Sequence, residues 1–324
     1  MLLRTDTINT DGGSCSLGIV VPCFNEEEVL PETSLRLITL LDNLIAERRI
    51  APTSRVIFVD DGSRDGTWPM IEDLARKNPC ISGIKLSRNR GHQNALLAGL
   101  FTSDGGVLVS VDADLQDDIR AISDMLTQYE LGADVVYGVR KNRYHDSFLK
   151  RFSAQGFYHL MSALGAESIY NHADFRLMSR RAIEALKEFR EVNLFLRGMV
   201  PLVGFKSAIV YYDRLERYAG ISKYPLKKML GLAIDAVTSF SVVPLRIITI
   251  TGFSVFILST MIVGWSFWAR FFTDRVVPGW TSTILPIYFL GGLQILCVGI
   301  IGEYLGKLYQ EAKARPRYII EKLI

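Results

Sequence analysis

Val107-Leu108-Val109-Ser110-Val111-Asp112-Ala113-Asp114-Leu115-Gln116 is the stretch whose reading decides the fold. Val107 to Val111 reads as a buried strand that stops at a cleft, because apolar residues without polar alternation suit a strand covered on both faces. Side chains alternate along a strand, so positions two apart point the same way. Asp112 and Asp114 can then converge on one hard cation, with the Gln116 amide oxygen in reach. Mg²⁺ and Mn²⁺ prefer such oxygen ligands and often share them with substrate phosphates, an arrangement that suits a nucleotide-diphosphate-dependent transferase. A strand-end Asx turn capping the next helix would use the same residues, and the stretch alone leaves both open.

Outward from it, the first 140 residues alternate β-rich runs with helical patterns. Strands are predicted at Leu17–Cys23, Arg55–Asp60, Ile81–Ser87, Val107–Val111 and Asp134–Tyr137. Helices are predicted near Glu28–Arg48, Thr67–Lys77, Gln93–Thr102 and Asp117–Tyr129. This alternation predicts an α/β domain with a largely parallel sheet. Ligands of such sheets bind beyond the carboxyl ends of the strands, where the polar clusters fall: Asn25-Glu26-Glu27, Asp60-Asp61, Arg88-Asn89-Arg90 and Asp112-Ala113-Asp114. Further on, the pattern predicts a helix at Ser147–Leu164, an extended run at Ala173–Met178, a helix near Arg180–Phe189 and a strand at Ala208–Tyr212.

The chain has 324 residues, of which 49% are hydrophobic and 22% charged, with a net charge of +3. Mean hydropathy is +0.20, and the apolar excess concentrates after Val242. The mild charge and the lack of a basic block with interleaved aromatics argue against a nucleic-acid partner. Cys15, Cys23, Cys80 and Cys297 show no metal or disulfide spacing, so a reducing cytosolic compartment is expected. The first sixteen residues contain no apolar signal core.

Pro225 to Ser241 sets Lys227 and Lys228 beside Leu226, Met229, Leu230, Leu232 and Ile234, a pattern for a helix at a membrane surface or an ordinary surface helix. Ile247–Ala269 and Val276–Gly302 are uncharged runs of roughly 23 and 27 residues, against roughly 20 needed to span a bilayer. Arg270–Arg275 would link them as a hairpin, with Trp265, Trp268, Trp280 and Tyr288 near an interface. Lysines and arginines crowd the outer flanks, which predicts both chain ends in the cytoplasm and the link outside.

Three further segments carry chemistry. Val20-Val21-Pro22-Cys23-Phe24-Asn25-Glu26-Glu27-Glu28 closes the first strand. Phe58-Val59-Asp60-Asp61-Gly62-Ser63-Arg64-Asp65-Gly66-Thr67 closes the second, and paired acids there suit a base N–H or ribose hydroxyls. Ser87-Arg88-Asn89-Arg90-Gly91-His92-Gln93-Asn94-Ala95-Leu96 opens a helix whose N-terminus could face an anion. In this order and spacing, with the acidic stretch above, these segments resemble glycosyltransferase family 2 and its GT-A fold. Asn171 to Arg181, Glu216 to Tyr224, and Gly302 to Tyr309 with Arg315-Pro316 resemble the polyprenyl-phosphate branch, the bactoprenol glucosyltransferases, similar to dolichyl-phosphate mannose synthase. The likeness spans about Leu17 to Tyr318.

The resemblance implies a Rossmann-like GT-A nucleotide-sugar domain over 1–224, a juxtamembrane interfacial helix over 225–242, two transmembrane helices within 243–304, and a cytosolic tail over 305–324. It implies a multi-pass protein of the bacterial inner membrane that moves one sugar, glucose from UDP-glucose first, to undecaprenyl phosphate with inversion. Another nucleotide sugar (GlcNAc, mannose or an aminoarabinose derivative) and a catalytically silent membrane scaffold stay open. Pro22, Asn25, Glu26, Asp60, Asp61, Asn94, Asp112, Ala113 and Asp114 would line the nucleotide-sugar pocket. Asp112, Asp114 and Gln116 would hold Mg²⁺ or Mn²⁺. Arg176, Arg214, Arg217, Ser222 and Lys223 would gather phosphate charge. Asp174, Asp112 and Arg217 would act in catalysis, Asp174 at the position of the family's proposed catalytic carboxylate. A flippase, a downstream glycosyltransferase and a second copy of the chain are the protein partners the resemblance leaves room for. No Gln-x-x-Arg-Trp motif is present, which disfavours a processive polysaccharide synthase.

A phosphate acceptor changes what the site must do. Its second pKa lies near 6, so it is mostly dianionic at neutral pH and needs little help from a base. Bringing one anion to another is the larger barrier, and arginine and lysine lower it. Asp174 is therefore expected to position the sugar or orient a basic residue, with a base role kept open. His92 is expected to cap or pack, and His172 has no assigned role.

Overall fold

The computed structural model describes residues 14–141, 172–192, 194, 196–213, 243–272 and 280–324. Among these, 14–141, 172–213 and 316–324 belong to one compact unit, and 243–272 with 280–315 to a second. The first unit runs β1 (Leu17–Cys23), α1 (Leu30–Ala46), β2 (Arg55–Asp60), α2 (Thr67–Lys77), β3 (Ile81–Leu86), α3 (His92–Thr102), β4 (Val107–Ser110), α4 (Ala121–Glu130) and β5 (Val135–Arg140). It continues with β6 (His172–Ser179), α5 (Arg180–Lys187), α6 (Leu196–Leu202) and β7 (Ser207–Tyr212), and closes with β8 (Ile320–Leu323).

The strands form one sheet in the order β7-β5-β6-β4-β1-β2-β3-β8. β3, β2, β1 and β4 are parallel neighbours. Every residue of β1 and β4 is buried, which is why neither shows polar alternation: helices cover both faces. α1 contributes Leu30, Leu37, Leu41 and Leu44, one stripe at helical spacing. α3 approaches the sheet so closely that a Cβ at Gly99 would stand 2.2 Å from Val20 Cγ1 and 2.9 Å from Val59 Cγ2.

Pro22 lies inside the central strand β1, where a missing N–H would ordinarily break a ladder. In a parallel strand the N–H and C=O of one residue face one neighbour, and those of the next face the other. Val20 O accepts from Val111 N on the β4 side, so Pro22 also faces that side. β4 has ended there at Ser110, so the proline removes no ladder bond.

Two strands run against the parallel set. β6 is antiparallel to both β4 and β5, with a register shift beside Tyr137. β8 is antiparallel to β3. Gly83 and Ile324 exchange backbone hydrogen bonds of 3.0 and 2.9 Å, and Lys85 pairs with Glu321 at 2.9 Å and Lys322 with Glu72 at 2.6 Å. The residues that the sequence suggests as a tail thus carry a strand that covers an otherwise open sheet edge.

The second unit holds α7 (Val243–Phe272) and α8 (Trp280–Ala312). Ile250, Phe253, Met261, Trp265 and Trp268 of α7 are exposed. Among the described residues one stretch, Phe289–Ala312 of α8, is long and apolar enough to cross a membrane by length and composition, and none of its most apolar window is buried. The predicted helices at Ser147–Leu164 and Pro225–Ser241 lie outside the described residues, as do Arg214, Arg217, Ser222 and Lys223.

Candidate active site

The acid pair sits on a turn. β4 ends at Ser110, and Leu115 N–H donates to Asp112 O at 3.3 Å with Leu115 at φ 48°. Thr33 of α1 pins the turn by donating its hydroxyl to Ala113 O at 2.7 Å. Strand alternation is therefore not what brings Asp112 and Asp114 together; a tight turn just past the strand does. Asp114 Oδ1 accepts from Gln116 N at 3.3 Å, so the Asx turn exists. The next helix, α4, starts only at Ala121, with Arg120 as an N-cap residue whose side chain makes no capping hydrogen bond.

β6 delivers the third carboxylate. Because β6 runs antiparallel, its start lies beside the end of β4, with Ser110 opposite Arg176. Asp174 is two residues earlier on β6 and Asp112 two later on from Ser110, so the ladder's direction carries them to one end of the sheet. His92, the first residue of α3, lies between them: its Nε2 is 3.5 Å from Asp112 Oδ1 and 3.8 Å from Asp174 Oδ2. Ser110 Oγ donates to the Asp174 carbonyl.

Asp174 is gripped by two arginines. Arg176 Nη2 donates to Oδ1 at 2.5 Å, and Arg197 of α6 lies along both oxygens at 3.4 and 3.3 Å. Burial opposes ionisation of Asp174 and is the largest single influence. Arg197, Arg176 and His92 together outweigh it and hold the carboxyl well below the ordinary range. Asp112 behaves oppositely. Burial raises its pKa to about 6, against the pull of His92 and with the repulsion of Asp117, Asp174 and Asp114 added. Two neighbouring carboxylates thus end in contrasting states because only one has guanidinium partners.

Arg176, expected to gather phosphate charge, has a side chain only 3% exposed. Its guanidinium donates to Asp174 and to Leu196 O at 3.3 Å. The partly exposed arginine beside Asp174 is instead Arg197, with 40% of its side chain exposed. Nothing in the local sequence marks Arg197, which lies in a seven-residue helix without a motif; only its contact with Asp174 reveals it. His92 was legible as part of the segment opening α3, but its place between two acids was not.

A network below the turn also escapes the sequence. Asp117, 1% exposed in its side chain, accepts from Arg140 Nη2 at 2.8 Å and from the Tyr212 hydroxyl at 2.6 Å. This ties the segment after the acid pair to the ends of β5 and β7. Gln93 Oε1 accepts from Leu196 N at 3.1 Å and fixes the start of α6 against α3.

On the other side of the sheet end, the loops after β1 and β2 are knitted together. Asn25, at φ 55°, donates its N–H to Ser63 Oγ at 3.0 Å and accepts from Arg64 N at 2.9 Å. Glu26 N–H donates to Thr67 Oγ1 at 2.9 Å. Asp61 is committed to structure: its two oxygens accept from Arg90 N at 2.7 Å and Gly91 N at 2.8 Å. Gly62, at φ 68°, allows that approach, since a Cβ there would stand 2.6 Å from Asn89 N. Asp60 keeps capacity. Oδ1 accepts from Ser63 N at 3.1 Å, while Oδ2 is buried and finds no hydrogen-bond partner among the described residues. Asn94 donates to Arg90 O at 2.8 Å, and its Oδ1 likewise has no partner among the described residues. Such buried acceptors are costly and suit a ligand's N–H or O–H.

Among the described residues no three His, Cys, Asp or Glu side chains form a preassembled metal cage. The donor set still fits Mg²⁺ or Mn²⁺ with a diphosphate, because Mg²⁺ is usually bound through one or two carboxylates with phosphates and water completing its shell. The strained ionisation of Asp112 beside Asp114 is what a cation would relieve. The Gln116 residue is buried.

A family description, Glycosyl transferase family 2, matches residues 18–187, which span the acid turn, Asp60, His92, Asp174 and Arg176. The chain belongs to glycosyltransferase family 2. Among family relatives, it is 52% identical over 94% of its length to "Uncharacterized glycosyltransferase YkoT" of Bacillus subtilis (strain 168), of which 91% is covered. It is 38% identical over 94% of its length to the SfII prophage-derived bactoprenol glucosyl transferase of Shigella flexneri, of which 97% is covered. Glucosyl-3-phosphoglycerate synthase from Mycobacterium tuberculosis, solved with Mn²⁺, UDP and phosphoglyceric acid, is 18% identical with a TM-score of 0.46, covering 69% of this chain and 76% of that one. The family fold is the GT-A α/β sheet described above.

Proposed function

We propose that this glycosyltransferase moves one sugar, glucose from UDP-glucose first, to undecaprenyl phosphate at the cytoplasmic face of a bacterial membrane. The observation that carries the acceptor is the similarity to a bactoprenol glucosyl transferase along 97% of that protein's length. Coverage of that extent supports reading the C-terminal helices, and not the sheet domain alone, as shared between the two proteins.

Asp112 and Asp114, with the Gln116 amide, would hold Mg²⁺ or Mn²⁺ at the donor diphosphate, where the bound ion offsets charge on the departing group. Asp60 offers its Oδ2 to the uracil or ribose, and Pro22, Asn25, Glu26, Asp61, Asn94 and Ala113 shape that end of the pocket. A phosphate oxygen of the lipid attacks C1 from the face opposite the leaving group. The C1–oxygen bond breaks, its electron pair stays on UDP, and the anomeric centre inverts. The acceptor arrives ionised, so no residue need take its proton. Asp174, held ionised far below neutral pH, makes a weak base and a strong counter-charge. Arg214, Arg217, Ser222 and Lys223 are assigned to the lipid phosphate on the family resemblance. α7 and α8 are read as two spans, with the basic flanks and both chain ends in the cytoplasm. A flippase and a later glycosyltransferase would take the lipid-linked sugar onward.

The test supplies full-length protein in detergent with labelled UDP-glucose, UDP-GlcNAc, GDP-mannose and a UDP-aminoarabinose derivative, plus undecaprenyl phosphate and Mg²⁺ or Mn²⁺. Label should enter the lipid phase from UDP-glucose and only with metal. Label from another donor renames the sugar; label from none removes the transferase reading in favour of a silent scaffold.

A further inference from the structure

Arg197 serves Asp174 and still presents part of its side chain to solvent. Arg176 donates to Asp174 Oδ1 at 2.5 Å from a side chain 3% exposed. Arg197 adds a second guanidinium to the same carboxylate, aligned with both oxygens. Unlike Arg176, it keeps 40% of its side chain exposed. Its helix is fixed from two sides, by Gln93 of α3 bonding Leu196 N and by Arg176 bonding Leu196 O. His92 places the assembly next to Asp112, the residue read as a donor and metal contact. A planar guanidinium held this way is preorganised for a two-point grip on a phosphate, and less side-chain freedom is lost when it binds.

We propose that Arg197 is a phosphate-binding residue of this site, and that Asp174 is a positioning residue that acts through it. The ligand is a phosphate oxyanion, either the lipid acceptor's monoester or the donor's diphosphate. The proposal rests on the transferase reading above for its place in turnover, but binding can be measured without turnover.

The experiment compares full-length wild type with Arg197→Gln, Arg197→Lys, Asp174→Asn and the Asp174→Asn/Arg197→Gln double variant, all in detergent. Calorimetry reads binding of Mn²⁺-UDP and of a short-chain polyprenyl phosphate, and thermal melting reports folding. Arg197→Gln should lower kcat/KM about 100-fold, as for loss of one preorganised donor, and weaken one of the two probes. Weaker polyprenyl phosphate with unchanged Mn²⁺-UDP identifies the acceptor; the reverse identifies the donor. Arg197→Lys should recover part of the loss, and added guanidinium ion should rescue Arg197→Gln. The double variant should be no worse than the worse single, because residues acting as one unit are not additive.

Unchanged affinity for both probes in a folded Arg197→Gln protein overturns the phosphate role, and so does a wild type that binds neither probe. Multiplying losses in the double variant overturn the link to Asp174. If Arg197→Gln does not fold, Arg197→Lys decides, since full activity and binding with lysine would show that the guanidinium geometry is not used. Probe binding that depends on Arg197, with no transfer from any nucleotide sugar, would remove the transferase reading and leave the phosphate site standing.

Discussion

Two carboxylates facing one histidine are driven in opposite directions by their neighbours. Asp174 has two guanidiniums and stays ionised; Asp112 has burial and like charges and is pushed up to about 6. Asp174→Asn should therefore cut kcat/KM by about 100-fold or more, equally across pH 6 to 9, because the proposed role is positional. A loss that alkaline pH repairs would identify a base instead. For Asp112 the linkage sign is the reverse of the usual paired acid. Its folded pKa lies above the unfolded value, so the protonated form favours folding at low pH and that contribution is lost as pH rises through about 6. Asp112→Asn should then raise metal-free stability at pH 7.5 by on the order of 1 kcal/mol, the shift being discounted for a side chain that water partly screens. The same variant should lose metal binding. In the wild type, metal affinity should fall by roughly tenfold per unit below pH 6, since the ligand must give up its proton. Titration of Mn²⁺ at pH 5, 6 and 7 checks the slope, and a flat profile would remove Asp112 as ligand.

At the scale of elements, the site depends on two strands that oppose the parallel set and on one close turn. β6 places Asp174 opposite the acid turn only because it runs antiparallel. Gly62→Ala tests the loop contact beneath Asp60 and Asp61. A methyl group there meets Asn89 N and the Arg88 backbone on a residue at positive φ. It should cost about 1–3 kcal/mol and weaken UDP binding together with stability; a variant as stable as wild type would show that the loop yields freely. β8 carries a second prediction. Deleting residues 319–324 strips the hydrogen bonds of Gly83 and Ile324 and the Lys322–Glu72 and Lys85–Glu321 pairs. The bare edge of β3 should lower the melting temperature and increase aggregation in size-exclusion chromatography.

The whole molecule joins a sheet domain to long apolar helices and then returns to the sheet for its last strand. Soluble truncations ending near residue 213 would lack β8 and should melt lower than the full chain for that reason alone. The exposed apolar side chains of α7 and the apolar stretch of α8 predict that the protein pellets with membranes and resists extraction by high salt or alkaline carbonate, needing detergent. Release by salt alone would mean surface attachment and would count against the spans.

Much of this was written into the chain in short stretches. Apolar runs bounded by glycine, asparagine and aspartate placed β1, β2 and α2 to the residue, and the strand-end rule singled out the acid turn and Asp60, which the parallel strands bring to one end of the sheet. Those signals are local, since burial on two faces and turn chemistry leave a trace within a few residues. What only the tertiary structure decided was direction and company: that β6 runs antiparallel, that Asp61 is absorbed by backbone N–H groups, that Arg176 is buried and Arg197 half-exposed, and that the final residues form β8. Each depends on partners between 2 and about 240 positions away in sequence. Composition and periodicity carry no record of which distant side chain will stand beside a given carboxylate, because that is set by packing of whole elements.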